Sequence, residues 1–274
     1  MRETVAEGFY PFSKDELDKL IGKLLSAAKV KASASIVGAV VPHAGYVYSG
    51  PVAAHVFGAL PKSGYDVVVI LGTNHTGVGE RIAVSPEDWE TPLGAIECDS
   101  EVSGAIVNGC EVARFDELAH MYEHSIEVQL PFLQKVLGNF KLVAISVSSD
   151  INSGNYEALG ETIRDVVAGK RALVIASSDF THFGAMYGFR PVDKDEAAWV
   201  QKTDKEVIDA VVDFRADDVI ALSRASTVCG YAPMAVLLSA VRGAKGRLVK
   251  YGTSYDVSKS KDAIVGYAGI VFEK

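Results

Sequence analysis

The 274-residue chain is short of several things, and each shortage excludes a class of protein. It has three cysteines, Cys98, Cys110 and Cys229. That number is odd and too small for a secreted disulfide framework, and a chain of this length buries enough surface to need no covalent staples. It has no basic excess: 27 Lys and Arg stand against 35 Asp and Glu, a net charge of −8. Nucleic acids and anionic membranes call for a basic face, so neither is expected as a partner. No apolar run approaches the ~18 residues that span a bilayer. The longest, residues 67–71 and 172–176, have strand length. The polar start Met1-Arg2-Glu3-Thr4-Val5-Ala6-Glu7 lacks the apolar stretch of a signal peptide. A cytoplasmic protein with reduced thiols is the expectation. The sequence has no linker-like segment and no internal repeat. It also lacks H-E-x-x-H, G-x-S-x-G, P-loop, G-x-G-x-x-G and close C-x2-C motifs. One domain over residues 1–274 is the simplest reading.

What is present is an ordinary globular composition, 49% hydrophobic and 23% charged, in which apolar runs alternate with amphipathic stretches. Ser13-Lys14-Asp15-Glu16 has the pattern of a capping box and opens a helix over residues 13–28, with Leu17, Leu20, Ile21, Leu24 and Leu25 on one stripe. Further helices are predicted over residues 51–60, 100–108, 124–136, 156–167, 195–214, 216–222 and 231–241. Pro131 demands a kink or a boundary within the 124–136 segment. Pro233 suits a first helical turn. Strands are predicted over residues 36–41, 67–71, 142–147, 172–176, 248–255 and 264–272, with residues 82–98 a loop carrying short strands. Strands that are apolar throughout and alternate with helices predict an α/β fold: a single domain with a mostly parallel central sheet flanked by helices.

The reactive residues fall in a pattern on that map. His43 lies two residues beyond the strand at 36–41, and His75 lies just beyond the one at 67–71. Asp179 and His182 lie just beyond the one at 172–176. A lone histidine is usually a hydrogen-bonded structural residue, the reading for His55 and His120. Three at equivalent strand ends, each with a nearby glycine (Gly45, Gly77, Gly184), point to one shared rim, where open α/β sheets bind ligands. Cys229 precedes a predicted helix whose N-terminus would stabilise a thiolate, and the alternative is the small buried hydrophobe that Cys98 and Cys110 are taken to be. Two imidazoles and one anionic ligand make an incomplete metal shell with open positions, suited to catalysis. Ser178, Asp179 and His182 share one turn and make no triad. Glu123 and Glu127 are four apart, beside His124, and form either a solvated helix start or a polar cluster projecting into the site. Tyr46, Tyr48, Phe180 and Phe183 flank the proposed pocket and could stack on a planar ligand, with ordinary packing as the competing reading for Phe180.

Together these motifs resemble one family. Pro42-His43-Ala44-Gly45-Tyr46, Asn74-His75-Thr76-Gly77, Glu123-His124-Ser125-Ile126-Glu127-Val128-Gln129-Leu130-Pro131-Phe132-Leu133, Ser177-Ser178-Asp179-Phe180-Thr181-His182-Phe183-Gly184 and Cys229-Gly230 are similar, in this order, to the MEMO family. The resemblance covers nearly the whole chain. It implies a fold like that of the class III extradiol dioxygenases, non-haem iron enzymes that open catechol rings. It also implies His43, His75 and Cys229 as metal ligands, His182 as the acid/base histidine, His124 as a second pocket histidine and Asp179 as a hydrogen-bonding neighbour. Fe(II) is the implied metal. The thiolate, in the place of the usual carboxylate, is softer and would also admit copper or zinc. The implied activity is oxidation of a small aromatic diol. The alternatives are a metal-binding, redox-linked accessory protein working with AMMECR-type or radical-SAM partners, and a zinc hydrolase with water in the open position.

Overall fold

The computed structural model describes residues 1–62, 64–150 and 152–274. The first half runs α1 (Lys14–Ala28), β1 (Ile36–Val41), α2 (Gly50–Ala59), β2 (Val67–Thr73), β3 (Ile82–Val84), β4 (Trp89–Thr91), β5 (Gly94–Ile96), α3 (Ser100–Gly109), β6 (Arg114–Phe115) and α4 (Leu130–Leu137). The second runs β7 (Lys141–Val147), α5 (Ser153–Val166), β8 (Ala172–Ser177), β9 (His182–Gly184), α6 (Glu196–Val212), α7 (Ala216–Ser226), α8 (Tyr231–Ala240), β10 (Lys245–Thr253), α9 (Ser254–Ser258) and β11 (Ala263–Glu273). The main sheet has the order β10-β11-β1-β8-β2-β7-β3-β6, with β9 paired to β11, and β4 and β5 form a separate ribbon. Its centre is parallel: β1 with β8, β8 with β2, and β2 with β7. On the flanks β11 runs antiparallel to β1, and β3 antiparallel to β7. This is the predicted α/β domain, with a mixed sheet whose core is parallel.

Side chains of a strand point alternately to opposite faces, and here both faces are covered. Val67, Val69 and Leu71 of β2 belong to one core layer, with Val143 and Ile145 of β7 and with α5 and α8. Val68 and Ile70 belong to the other, with Leu173 and Ile175 of β8 and with α1, α2 and α4. Such strands carry no polar alternation because no face meets water.

The differences from the sequence reading have local causes. Pro131 marks a boundary: a 3-10 turn at Glu127–Gln129 leads into α4, with the proline in its first turn, where a missing N–H costs nothing. Ser13 stands at the N-cap of α1, but its side chain makes no capping hydrogen bond. A full capping box occurs at Thr253 and Asp256 instead; it ends β10 two residues short of the expected 255 and starts α9. Among the described residues, no helix is long and apolar enough to cross a membrane.

Candidate metal centre

Because β1, β8 and β2 are adjacent and parallel, their carboxyl ends open on one edge. His43, His75, Asp179, His182 and His124 line a single bowl of about 510 Å³ there. One ligand atom from each of His43, His75 and His124 lies within 4.8 Å of the others. The His75 and His124 rings stack, 5.0 Å between centroids, and His43 stands edge-on to both. The Cys229 thiol comes from the turn between α7 and α8, with its Sγ 3.3 Å from His43 Nε2. Sγ also lies 3.5 Å from Asp179 O. That turn is seated by Gly230, whose N–H donates to Ser178 Oγ at 3.0 Å; a Cβ there would collide with Ser178 and approach Ser177 O to 2.7 Å.

Each group is held from outside its own loop. Asp179 Oδ1 accepts the backbone N–H of His43 at 2.8 Å and of Ala44 at 3.2 Å, fastening the end of β1 to the end of β8. Glu123, 1% exposed, accepts the backbone N–H of His75 at 2.7 Å and its ring Nδ1–H at 3.0 Å. A carboxylate on Nδ1 leaves Nε2 for a metal and raises the basicity of the ring. The Glu123 loop closes on β2 because Gly72 has no Cβ, which would meet Ile126 Cγ1 at 2.5 Å. His182 Nδ1 lies 3.2 Å from Thr227 O, an acceptor only, so Nδ1 carries a proton and Nε2 is the ring nitrogen left for chemistry on the side of the bowl. Thr227 Oγ1 also accepts the His182 backbone N–H at 3.0 Å.

The charges interlock. Burial opposes ionisation of Cys229, but the adjacent His43 and His75 outweigh it and bring the thiol down to about 5. Burial likewise works against protonation of His75, and the Cys229 thiolate and Glu123 outweigh it, holding His75 up at about 10. His43 is raised in the same way, burial being overcome by Cys229 and Asp179. Glu123 is held down at about 2, with burial overcome by His75. His124 goes the other way: burial and the neighbouring His43 push it down to about 3, so it stays neutral. A thiol held down beside imidazoles held up is a pairing of charges that a divalent cation would replace by displacing ring protons.

A family model described as Memo-like protein matches residues 2–271. The chain belongs to the Memo family. MEMO1 family proteins of Methanosarcina mazei and Methanococcoides burtonii are 40% and 42% identical to it, over 100% and 98% of this chain and 99% and 98% of theirs. A MEMO1 family protein of Thermococcus onnurineus is 41% identical, with 98% of each chain covered. In fold, this Memo-family chain is similar to an uncharacterised protein of Escherichia coli K12, with a TM-score of 0.54 over 86% of this chain and 99% of that one, at 11% identity.

In this Memo-family chain the histidines expected on one rim, His43, His75 and His182, do share the bowl, and His124 joins them. His124 belongs to the three-histidine cluster itself. His55 caps nothing in the site: its Nδ1 faces Pro51 O within α2. His120 is fully buried against Trp89, with Nε2 3.1 Å from Ala83 O. Cys98 and Cys110 are buried. The two acidic residues near His124 are neither a solvated helix start nor one cluster. Glu123 faces the site, whereas Glu127 turns away to bind Arg2, the N–H groups of Val5 and Ala6, and the Tyr10 hydroxyl. Of the aromatics expected at the pocket only Tyr48 lines it; Phe180 and Phe183 are core, and Tyr46 is buried with its hydroxyl on Val128 O. The aromatic walls that sequence reasoning missed are Phe9, 4.3 Å from the His124 ring, Tyr187, 5.1 Å from His182, and the buried Tyr267. Phe9 and Tyr267 come from segments remote from the ligand motifs, whereas Tyr187 follows His182 by five residues and is within reach of a count along the chain.

Proposed function

We propose that the protein holds a non-haem Fe(II) ion through His43, His75 and the Cys229 thiolate and oxidises a small aromatic diol-like molecule in the bowl above it. The observation that carries this reading is the convergence of the imidazoles of His43, His75 and His124 within 4.8 Å, with a thiolate 3.3 Å from one of them. The donor set fits a divalent metal of intermediate softness, and its sulfur also admits copper or zinc. When bound, the metal supplies Lewis-acid and redox chemistry at positions left open to a chelating substrate.

The chain's own residues supply the rest. His182, with Nδ1–H spent on Thr227 O, offers Nε2 to take a hydroxyl proton from the substrate. His124, neutral, lines the wall as a hydrogen-bonding group and is a candidate fourth ligand. Asp179 acts as a positioning residue by holding the backbone of His43. Phe9, Tyr48 and Tyr187 offer planar faces for an aromatic ring.

A second reading is a metal-binding accessory protein that meets AMMECR-type or radical-SAM partners. Its support is the apolar side of the bowl, where Met186 and Tyr48, 78% and 42% exposed, line the opening. Anaerobic reconstitution with Fe(II), followed by oxygen uptake over a panel of catechols, separates the two. Substrate-dependent uptake that disappears in Cys229→Ser supports the oxidation. Bound iron with no uptake on any diol sinks it and leaves the accessory role.

A further inference from the structure

We infer that Ser177 and Gln129 fix the tautomer of His43, so that Nε2 and not Nδ1 is the nitrogen presented to the metal; the inference rests on the metal-binding reading above. The argument is a count of donors and acceptors around one hydroxyl. Ser177 Oγ lies 2.7 Å from Ser125 O, 2.8 Å from Gln129 Nε2 and 3.0 Å from His43 Nδ1. A hydroxyl has one hydrogen and two lone pairs. The Ser125 carbonyl only accepts, so it takes the hydrogen. The Gln129 amide nitrogen only donates, so it occupies one lone pair. The amide cannot be reversed, because the same Nε2 donates to Pro42 O at 3.0 Å, and a flipped amide would set oxygen against oxygen at both contacts. One lone pair of Ser177 is left, and it accepts only from an N–H. His43 Nδ1 must therefore carry a proton, and Nε2, which faces Cys229, is the nitrogen left for a metal.

Bulk water does not reach these groups. Ser125 and Ser177 are fully buried, Gln129 is 1% exposed and His43 2%. His75 needs no such device, since Glu123 is an acceptor by nature; a serine is not, and Gln129 makes it one. Gln129 also holds the carbonyl of Pro42, the residue before His43, so one side chain restrains both the backbone and the proton of the ligand. Both are positioning residues that act through His43.

The test uses the whole chain loaded with Zn(II), with 15N-labelled histidines and the His43 signals assigned by loss in His43→Gln. The expected spectrum of the wild type shows His43 coordinated through Nε2 with a slowly exchanging Nδ1 proton. Zn(II) affinity, measured by chelator competition well below each variant's Tm, should fall about 10- to 100-fold in Ser177→Ala. It should fall less in Gln129→Met, where the hydroxyl is freed but kept, and return towards wild type in Ser177→Thr. A merely structural role would lower Tm and leave both affinity and the Nδ1 proton signal unchanged. That result, or coordination of wild-type His43 through Nδ1, overturns the inference. If Ser177→Ala does not fold, the wild-type spectrum and Gln129→Met decide. Failure of the wild type to take up Zn(II) overturns the metal-binding reading as well, whereas uptake with unaltered variants overturns this inference alone.

Discussion

The Arg2–Glu127 pair gives the sharpest stability prediction. Both side chains are buried, 3% and 0% exposed. The guanidinium donates to Glu127 Oε2 at 2.5 Å, to Glu123 O at 2.7 Å and to His120 O at 3.2 Å, and it lies 4.1 Å over the Trp89 ring. The carboxylate accepts from Val5 N, Ala6 N and Tyr10 Oη besides. Breaking a buried pair from one side leaves an uncompensated charge and costs about 3–5 kcal/mol. Arg2→Met should sit near the lower limit, because three neutral donors still solvate Glu127. Glu127→Ala strands the guanidinium and three donors together, and each orphaned group adds about 1–3 kcal/mol. That total approaches the whole stability of a domain, so Glu127→Ala should be barely folded and Glu127→Gln is the variant to measure. In urea unfolding followed by circular dichroism, Arg2→Met and Glu127→Gln should each lower the unfolding free energy by about 3 kcal/mol, and the double variant should cost less than their sum by about 2 kcal/mol. Additive losses, or an Arg2→Met loss under about 0.5 kcal/mol, would refute the view that this pair fastens the N-terminal segment carrying Phe9 to the floor of the bowl.

Three further outcomes follow from the same geometry. Glu123→Gln cannot draw the Nδ1 proton of His75 as a carboxylate does, so metal affinity by chelator competition should drop about 10- to 100-fold while secondary structure persists; unchanged affinity would remove Glu123 from the site. In metal-free protein Cys229 is a thiolate down to about pH 5, so its alkylation, followed by mass spectrometry, should keep half its maximal rate near pH 5, and added metal should suppress it; half-reaction near pH 8–9 would contradict the paired charges. His120, pushed down to about 4 by burial, binds its proton in the unfolded chain before the folded one. Its contribution is therefore complete above pH 6.5 and lost as pH falls from 6.5 to 4, by about 3 kcal/mol. His120→Gln should flatten that part of the stability–pH curve, and an unaltered slope would show that His120 is not the group responsible.

Much of this architecture is legible in the sequence, for a physical reason. A strand covered on both faces must be apolar throughout, so β1, β2, β7 and β8 announce themselves, and the position of a histidine just past such a strand is a count along the chain. What cannot be counted is who holds each histidine. His43 is oriented from the end of β8 and from the turn before α4, His75 from the Glu123 loop, and His182 from Thr227, beside Cys229. Between 45 and 134 residues separate these partners. The short strand β9, which carries His182, is equally illegible: three residues form it only because β11 offers an antiparallel edge.

This cross-bracing also explains why the ligand motifs extend beyond the ligands. A strand end fixes a backbone, but a free imidazole still has two ring nitrogens and freedom about its side-chain bonds. Precise metal geometry requires those to be removed, and a loop cannot do so for its own side chain without folding back on itself. Each of these loops of the candidate site is therefore braced by its neighbour: Asp179 of the His182 turn holds the backbone of His43, Ser178 of the same turn holds the amide after Cys229, and Thr227 of the Cys229 turn holds His182. Because the braces are reciprocal, loosening one should displace a ligand it does not belong to. A substitution at Thr227 should thus disturb the proton-accepting face of His182 before it disturbs the thiolate two residues away.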